Sequence, residues 1–289
     1  MFLTPGEMFG DFRVVRLIGR GGMSEVWLLE VESRCDFCAV KILDPAKASD
    51  FVLRKRFLSE AKLAMEIDHP NVVKVYDIGE DPVTRLCYIL MEYVPGGTLA
   101  DRIERDGRVP FGEAVALVRD IALLLSRAKA KGIVHRDLKP ANIMFAEDGS
   151  FRVADLGSVR VNRLDDADRH GLAPELTARI GSFVGTPAYM APEQMVDPRG
   201  VDTRADIYSL GVTFFEMLTG RRPYPDLSSV QIMAKAVTGE PIPDVRTVDP
   251  SVPAVIANVI RAMCEPDRMS RIDSPQWIAD CCNRVLERL

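Results

Sequence analysis

The spacing of apolar residues in this 289-residue chain changes character at Pro95-Gly96-Gly97. Before that break the runs 12–19, 26–31, 37–43, 72–78 and 86–93 are short and rich in β-branched and large apolar residues. Glycine or charged turns bound them, which is the pattern of strands. One helix interrupts the series. Phe51, Leu58, Ala61, Leu63, Ala64, Met65 and Ile67 leave a polar face at Arg54, Lys55, Glu60 and Lys62. His69-Pro70-Asn71 ends it, because the residue before a proline is driven away from helix. Beyond residue 97 the period is helical. The stretch 113–131 carries Val115, Leu117, Val118, Ile121, Leu124, Leu125 and Ala128 ahead of Gly132. A second helix, 202–219, starts near Asp202 or Thr203 and stops at Gly220, and 252–264 and 275–289 read as two final amphipathic helices. A β-rich first part and an α-rich remainder predict an α+β molecule of two lobes, 1–94 and 95–289, with a cleft near residue 95.

Composition narrows the function classes. At 47% hydrophobic and 27% charged the chain has the balance of a soluble globular protein. A chain this long buries roughly three quarters of its unfolded surface, so its core needs neither disulfides nor metal. With 37 basic and 42 acidic residues the net charge is −5, the opposite of a nucleic-acid binder's footprint. Apolar runs such as 121–125 are far short of the ~20 residues that span a bilayer. Residues 1–10 lack a basic stretch followed by an apolar core, so no signal peptide is expected and the cytoplasm is the expected location. Six cysteines at irregular spacing fit a reducing compartment. Cys35-x-x-Cys38 has no second pair to complete a zinc site and falls in a turn entering a strand, so ordinary packing is its expected role.

The chemistry-bearing segments follow a fixed order. Gly19-Arg20-Gly21-Gly22-Met23-Ser24-Glu25-Val26 is a glycine-rich turn between two strands, where missing Cβ atoms let backbone N–H groups approach phosphate oxygens. Because it opens into a strand and not a helix, a dinucleotide fold is disfavoured. Ala39-Val40-Lys41 ends the third strand. His135-Arg136-Asp137-Leu138-Lys139-Pro140-Ala141-Asn142 follows the long helix, and Asp155-Leu156-Gly157 and Ala191-Pro192-Glu193 come later. Together these match the protein-kinase signature set. The chain, from about Phe12 to its C-terminus, resembles the eukaryotic-like serine/threonine protein kinases of bacteria. Ser24 stands where a third glycine is usual, and Leu156 where phenylalanine is. Gly-Gly-Met-Ser-Glu-Val is nonetheless familiar in the bacterial members.

The resemblance implies a bilobal protein-kinase fold and transfer of the γ-phosphoryl group of ATP to protein serine and threonine hydroxyls, with Mg²⁺, or alternatively Mn²⁺. Lys41 would hold the α- and β-phosphates, aimed by Glu60 on the following helix, with Glu66 as the fallback. Asn142 and Asp155 would be the metal ligands, since this cation prefers hard oxygen donors. Asp137 would orient the substrate hydroxyl and Lys139 meet the γ-phosphate. The nucleotide would be cradled by Ile18, Gly19, Arg20, Gly21, Gly22, Met23 and Ser24. Its base would lie between Val26 and Ala39 on one side and Met144 on the other, with Met91 as gatekeeper ahead of the hinge Glu92-Tyr93-Val94. Asp206 would anchor the catalytic loop, and Glu193 would pair with Arg271, with Arg268 as competitor. In the 155–193 segment Ser182, and after it Thr177, is the expected autophosphorylation site, facing Arg136 and Arg160, while Thr186 would bridge Asp137 and Lys139. The alternatives are a catalytically silent scaffold, disfavoured because Lys41, Asp137 and Asp155 are all present, and a small-molecule kinase. The segment Gly185-Thr186-Pro187-Ala188-Tyr189 argues against the latter. Expected partners are protein substrates, not nucleic acid. The family also allows a homodimer and a place as the cytoplasmic domain of a longer membrane-anchored kinase.

Overall fold

The computed structural model describes residues 2–31, 36–65, 67, 69–155, 160–161, 187–196 and 200–289. Two compact units emerge, one of Met1–Gly97 with Met144–Val159 and one of Thr98–Ile143 with Arg160–Leu289.

The first unit opens with strands β1 (Met8–Phe9), β2 (Phe12–Arg20), β3 (Ser24–Val31) and β4 (Asp36–Leu43). Helices α1 (Pro45–Ala48) and α2 (Phe51–Met65) follow, then β5 (Val75–Glu80) and β6 (Cys87–Glu92). The six strands form one antiparallel sheet in the order β1-β2-β3-β4-β6-β5. Pairing of Trp27 with Val40 and of Leu29 with Cys38 puts these residues on one face. There they form the core with Leu3, Phe9, Val14, Ile42 and Leu86. Val26, opposite Lys41, and Ala39, opposite Met91, alternate onto the other face.

The second unit begins with α3 (Leu99–Asp106), α4 (Phe111–Ala130) and the short β7 (Ile133–Val134). The chain then returns to the first unit as the hairpin β8 (Ile143–Phe145) and β9 (Phe151–Val153). This return is why a single cut after residue 94 does not describe the molecule. Gly96 N donates to Phe145 O at 2.8 Å, and Phe145 N to Gly97 O at 2.9 Å. Val153 bridges Val72 in parallel, and Val73 N donates to Val153 O at 3.0 Å. That bridge uses Val72 and Val73, so β5 starts at Val75 and not at 72 as the apolar run suggests.

The rest of the second unit contains β10 (Arg160–Val161), paired with β7, and helices α5 (Pro192–Val196), α6 (Thr203–Thr219), α7 (Ser229–Val237), α8 (Ala254–Met263) and α9 (Pro275–Leu286). Helix α6 is buried on almost every side and packs against α4 and α8, while α9 lies along α4. Helices α3 and α7 were outside the sequence expectation, although each carries a legible start. Thr98 with Asp101 and Ser228 with Gln231 form reciprocal capping boxes. Among the described residues no helix is long and apolar enough to cross a membrane.

Gly220, the left-handed cap of α6 at φ +73°, lies against Gly107, the C-terminal cap of α3. A Cβ there would stand 1.9 Å from the backbone oxygen of Gly107. Gly220→Ala is therefore expected to cost at least ~2 kcal/mol, combining left-handed strain with a backbone clash. Urea unfolding of parent and variant checks this.

Candidate active site

Sheet register gathers the residues expected around a nucleotide. Val26, Ala39, Lys41 and Met91 share the face opposite the core because they are directly paired or two residues apart. Ala39 is 3% exposed, whereas Val26, Lys41, Met91 and Met144 are half-buried. Ile18 and Gly19 lie in β2, with Gly19 opposite Val26. Gly21 N donates to Ser24 O at 2.8 Å and closes the turn, so Gly22 and Met23 stand exposed at its tip while Ser24 is buried. The Arg20 guanidinium pairs with Glu25 at 2.7 Å, on the face away from Val26, which leaves the Arg20 backbone for a phosphate. The hinge is braced by Glu92, whose carboxylate accepts from Lys74 N at 3.1 Å and Arg152 Nε at 3.2 Å; Val94 beyond it is 4% exposed.

Lys41 Nζ lies 2.6 Å from Asp155 Oδ1. The phosphate-binding lysine and the metal-binding aspartate expected from sequence are thus ion-pair partners. Asp155 adopts φ +60°, a left-handed conformation that costs a non-glycine residue of order 1 kcal/mol and recurs at functional sites. Glu60 lies on α2, as expected, but its side chain is outside the described residues, as is all of Glu66. Cys35 is also outside them. Cys38 is buried in β4, where burial pushes its thiol up to about 11, so Cys38 offers no reactive thiolate.

In the second unit, Asp137, Lys139 and Asn142 converge. Lys139 Nζ donates to Asp137 Oδ2 at 2.7 Å. Asn142 Nδ2 donates to Asp137 O at 2.7 Å and to its Oδ2 at 3.1 Å. Both of those acceptors need a donor, so the amide nitrogen of Asn142 must face Asp137 and its oxygen is the atom left for a cation. A one-turn helix at Pro140–Asn142 closes the loop through Asn142 N to Lys139 O at 2.9 Å.

That loop hangs from α6. Asp206, fully buried, accepts from His135 N at 2.8 Å and Arg136 N at 2.7 Å. Burial pushes its carboxyl above the usual range, against the opposing pull of His135, Arg136 and the two amides. Arg136 sits at φ +70°, and its carbonyl accepts from Gln194 Nε2 at 2.8 Å, tying the loop to α5. On α5, Glu193 meets Arg271 in a two-pronged pair, Nη1 to Oε1 at 2.6 Å and Nη2 to Oε2 at 2.9 Å. Arg271 is buried and also donates to the carbonyls of Glu265, Arg204 and Pro266. Arg268, the competing partner, instead donates to Gly200 O at 2.8 Å. Ser182, Thr177, Thr186 and Leu156-Gly157 lie outside the described residues, as does the side chain of Arg160.

Comparison with known proteins agrees with this geometry. Residues 12–282 match the protein kinase domain. The chain belongs to the protein kinase domain family. It is 35% identical to the serine/threonine-protein kinase PrkC of Bacillus subtilis over 276 residues, 95% of this chain and 40% of that protein. It is 37% identical to PknB of Mycolicibacterium smegmatis over 269 residues, 91% of this chain and 41% of that protein. The chain thus spans about two fifths of the length of these curated relatives. The crystal structure of the Mycobacterium tuberculosis PknI kinase domain superposes with a TM-score of 0.72 at 27% identity, covering 98% of this chain and 99% of that one. The fold is the protein-kinase fold.

Family membership implies ATP and a divalent cation, and the residues fit both. Asp155 and the Asn142 oxygen are hard donors. Among the described residues no cluster of three or more His, Cys, Asp or Glu side chains could cage a metal by itself. A cation held by one or two side chains and the nucleotide's own phosphates has this chemistry. The anchor of the loop is open to direct test. Asp206→Ala leaves the buried His135 amide and the part-buried Arg136 amide without an acceptor, at up to ~1–3 kcal/mol each. Urea unfolding should show a loss of that order, and hydrogen exchange should show the His135 and Arg136 amides deprotected.

Proposed function

We propose that this chain binds Mg-ATP and transfers its γ-phosphoryl group to serine and threonine hydroxyls of proteins. The observation that carries the reading is the Lys139–Asp137–Asn142 network. Lys139 and Asn142 both engage Asp137 Oδ2, and among the described residues no donor meets Oδ1. Oδ1 is thus the oxygen that receives the acceptor hydroxyl and takes up its proton. Lys139 holds the Asp137 carboxylate in place and presents a cation to the transferring phosphoryl group. The Asn142 oxygen and Asp155 are the hard donors that would hold the cation, which would neutralise phosphate charge. Lys41, aimed by Asp155, takes the α- and β-phosphates, while Val26, Ala39 and Met144 bracket the base. The bound nucleotide and cation supply the transferable phosphoryl group and neutralise its charge; the chain's part is positioning and electrostatics.

Lys139 and the curated names of the relatives support serine and threonine over tyrosine. A place as the cytoplasmic domain of a longer membrane-anchored kinase, which the family resemblance allows, is part of the same proposal. Autophosphorylation at Ser182, with Thr177 second, follows from the arginines at 136 and 160 that a phosphate would bridge.

With a basic protein substrate and Mg-ATP, phosphoserine and phosphothreonine should form. Predominant phosphotyrosine in a phosphoamino-acid analysis would overturn the specificity. Asp137→Asn should keep nucleotide binding yet lower transfer at least ~10²-fold, the scale for losing a positioned base. Lys41→Met should abolish transfer. Peptide mapping after incubation with Mg-ATP should find phosphate on Ser182 or Thr177, and the doubly substituted Ser182→Ala, Thr177→Ala protein should lose activity.

A further inference from the structure

Glu25 is one of the few charged side chains buried in the first unit, at 2% exposure, and no role in phosphoryl transfer accounts for it. It belongs to the glycine-rich hairpin yet faces away from the nucleotide side. On β3 it alternates with Val26 and shares its face with Trp27, two residues on, whose indole is part of the core. Both carboxylate oxygens are occupied. Oε1 accepts from Arg20 Nε at 2.8 Å, and Oε2 from Trp27 Nε1 at 3.1 Å. Arg20 is the last residue of β2 and the register partner of Glu25. The carboxylate therefore ties together the two legs of the hairpin immediately below Gly21 and Gly22, and fastens both to the core through Trp27.

The tip is tied separately. Asp44 N donates to Met23 O at 2.8 Å, and the Lys47 ammonium donates to Gly22 O. In a trans peptide the carbonyl and the following N–H point in opposite directions. Holding those two carbonyls toward α1 turns the N–H groups of Met23 and Ser24 the other way. With the tip amides aimed by these bonds, the remaining freedom of the hairpin is a hinge at its base, where Glu25 sits.

We propose that Glu25 is the positioning residue of the glycine-rich hairpin, locking Arg20 to Trp27 so that the tip amides are already aimed when nucleotide arrives. The proposal deepens the Mg-ATP reading and rests on it. Loss of such preorganisation weakens nucleotide binding more than the chemical step.

The test compares the parent with Glu25→Gln, Arg20→Ala and the double variant, measuring KM for Mg-ATP, KM for a protein substrate, kcat and thermal stability. Glu25→Gln keeps an acceptor for Trp27 but removes the charge that holds Arg20. Each single variant should raise KM for Mg-ATP roughly 5- to 10-fold, the scale of one lost charge-assisted bond, with kcat and the protein-substrate KM within about two-fold. The double variant should be no worse than the worse single one, because both remove the same bond. Unchanged KM for Mg-ATP, additive effects, or a uniform loss of kcat with a matching fall in melting temperature would each overturn the role of Glu25. If Glu25→Gln does not fold, Arg20→Ala decides alone, since the Arg20 side chain is 70% exposed. A parent protein that neither binds nor uses Mg-ATP defeats the functional reading itself, a result distinct from an active parent with indifferent variants.

Discussion

A single buried carboxylate organises the catalytic half of the second unit. Asp206 projects from α6, the helix most enclosed by its neighbours, and takes the amides of His135 and Arg136. Loop backbone in such a place would otherwise leave two donors unpaired, which is costlier than losing an ordinary exposed hydrogen bond. With the amides fixed, Arg136 is held left-handed and the chain turns so that Asp137, Lys139 and Asn142 fall into mutual hydrogen-bonding range. The strain at Arg136 persists because α6 and Gln194 on α5 hold both sides of that residue.

The first unit solves a different problem by parity. A strand shows alternate residues to opposite faces, so one register choice decides what the core receives and what the ligand side receives. Trp27, Leu29, Val40 and Ile42 go to the core; Val26, Ala39, Lys41 and Met91 go to the other face. Glu25 marks the place where the two sides communicate, since it is buried on the core face while belonging to the hairpin whose tip serves the other.

Two of the charge pairs serve different ends in the two units. Lys41 and Asp155 form a partly exposed pair between groups that both have phosphate or cation chemistry to perform, so each holds the other in place. Glu193 and Arg271 form a buried, two-pronged pair with further bonds to three carbonyls. Breaking a pair of that kind leaves an uncompensated buried charge, so it specifies one arrangement of α5 relative to α6.

Much of this was legible in the residues themselves. Local rules govern strand and helix existence, and the break at Pro95-Gly96-Gly97, the caps at Asp202 and Gly220 and the ordered motifs around Lys41, Asp137 and Asp155 all rest on such rules. The short helices α3 and α7 also carry capping boxes written in local sequence, Thr98 with Asp101 and Ser228 with Gln231. Three things came only with tertiary structure. The hairpin Ile143–Phe145 and Phe151–Val153 joins the first unit because its strands bond to residues 71–73 and 96–97, contacts between segments far apart in sequence. The pairing of Lys41 with Asp155 likewise spans 114 positions. The side to which Arg20 turns depends on Glu25, and hence on strand register. Residue type and spacing determined which chemistry the chain carries; long-range hydrogen bonds and sheet parity decided where each group points, because neither is encoded within any one segment.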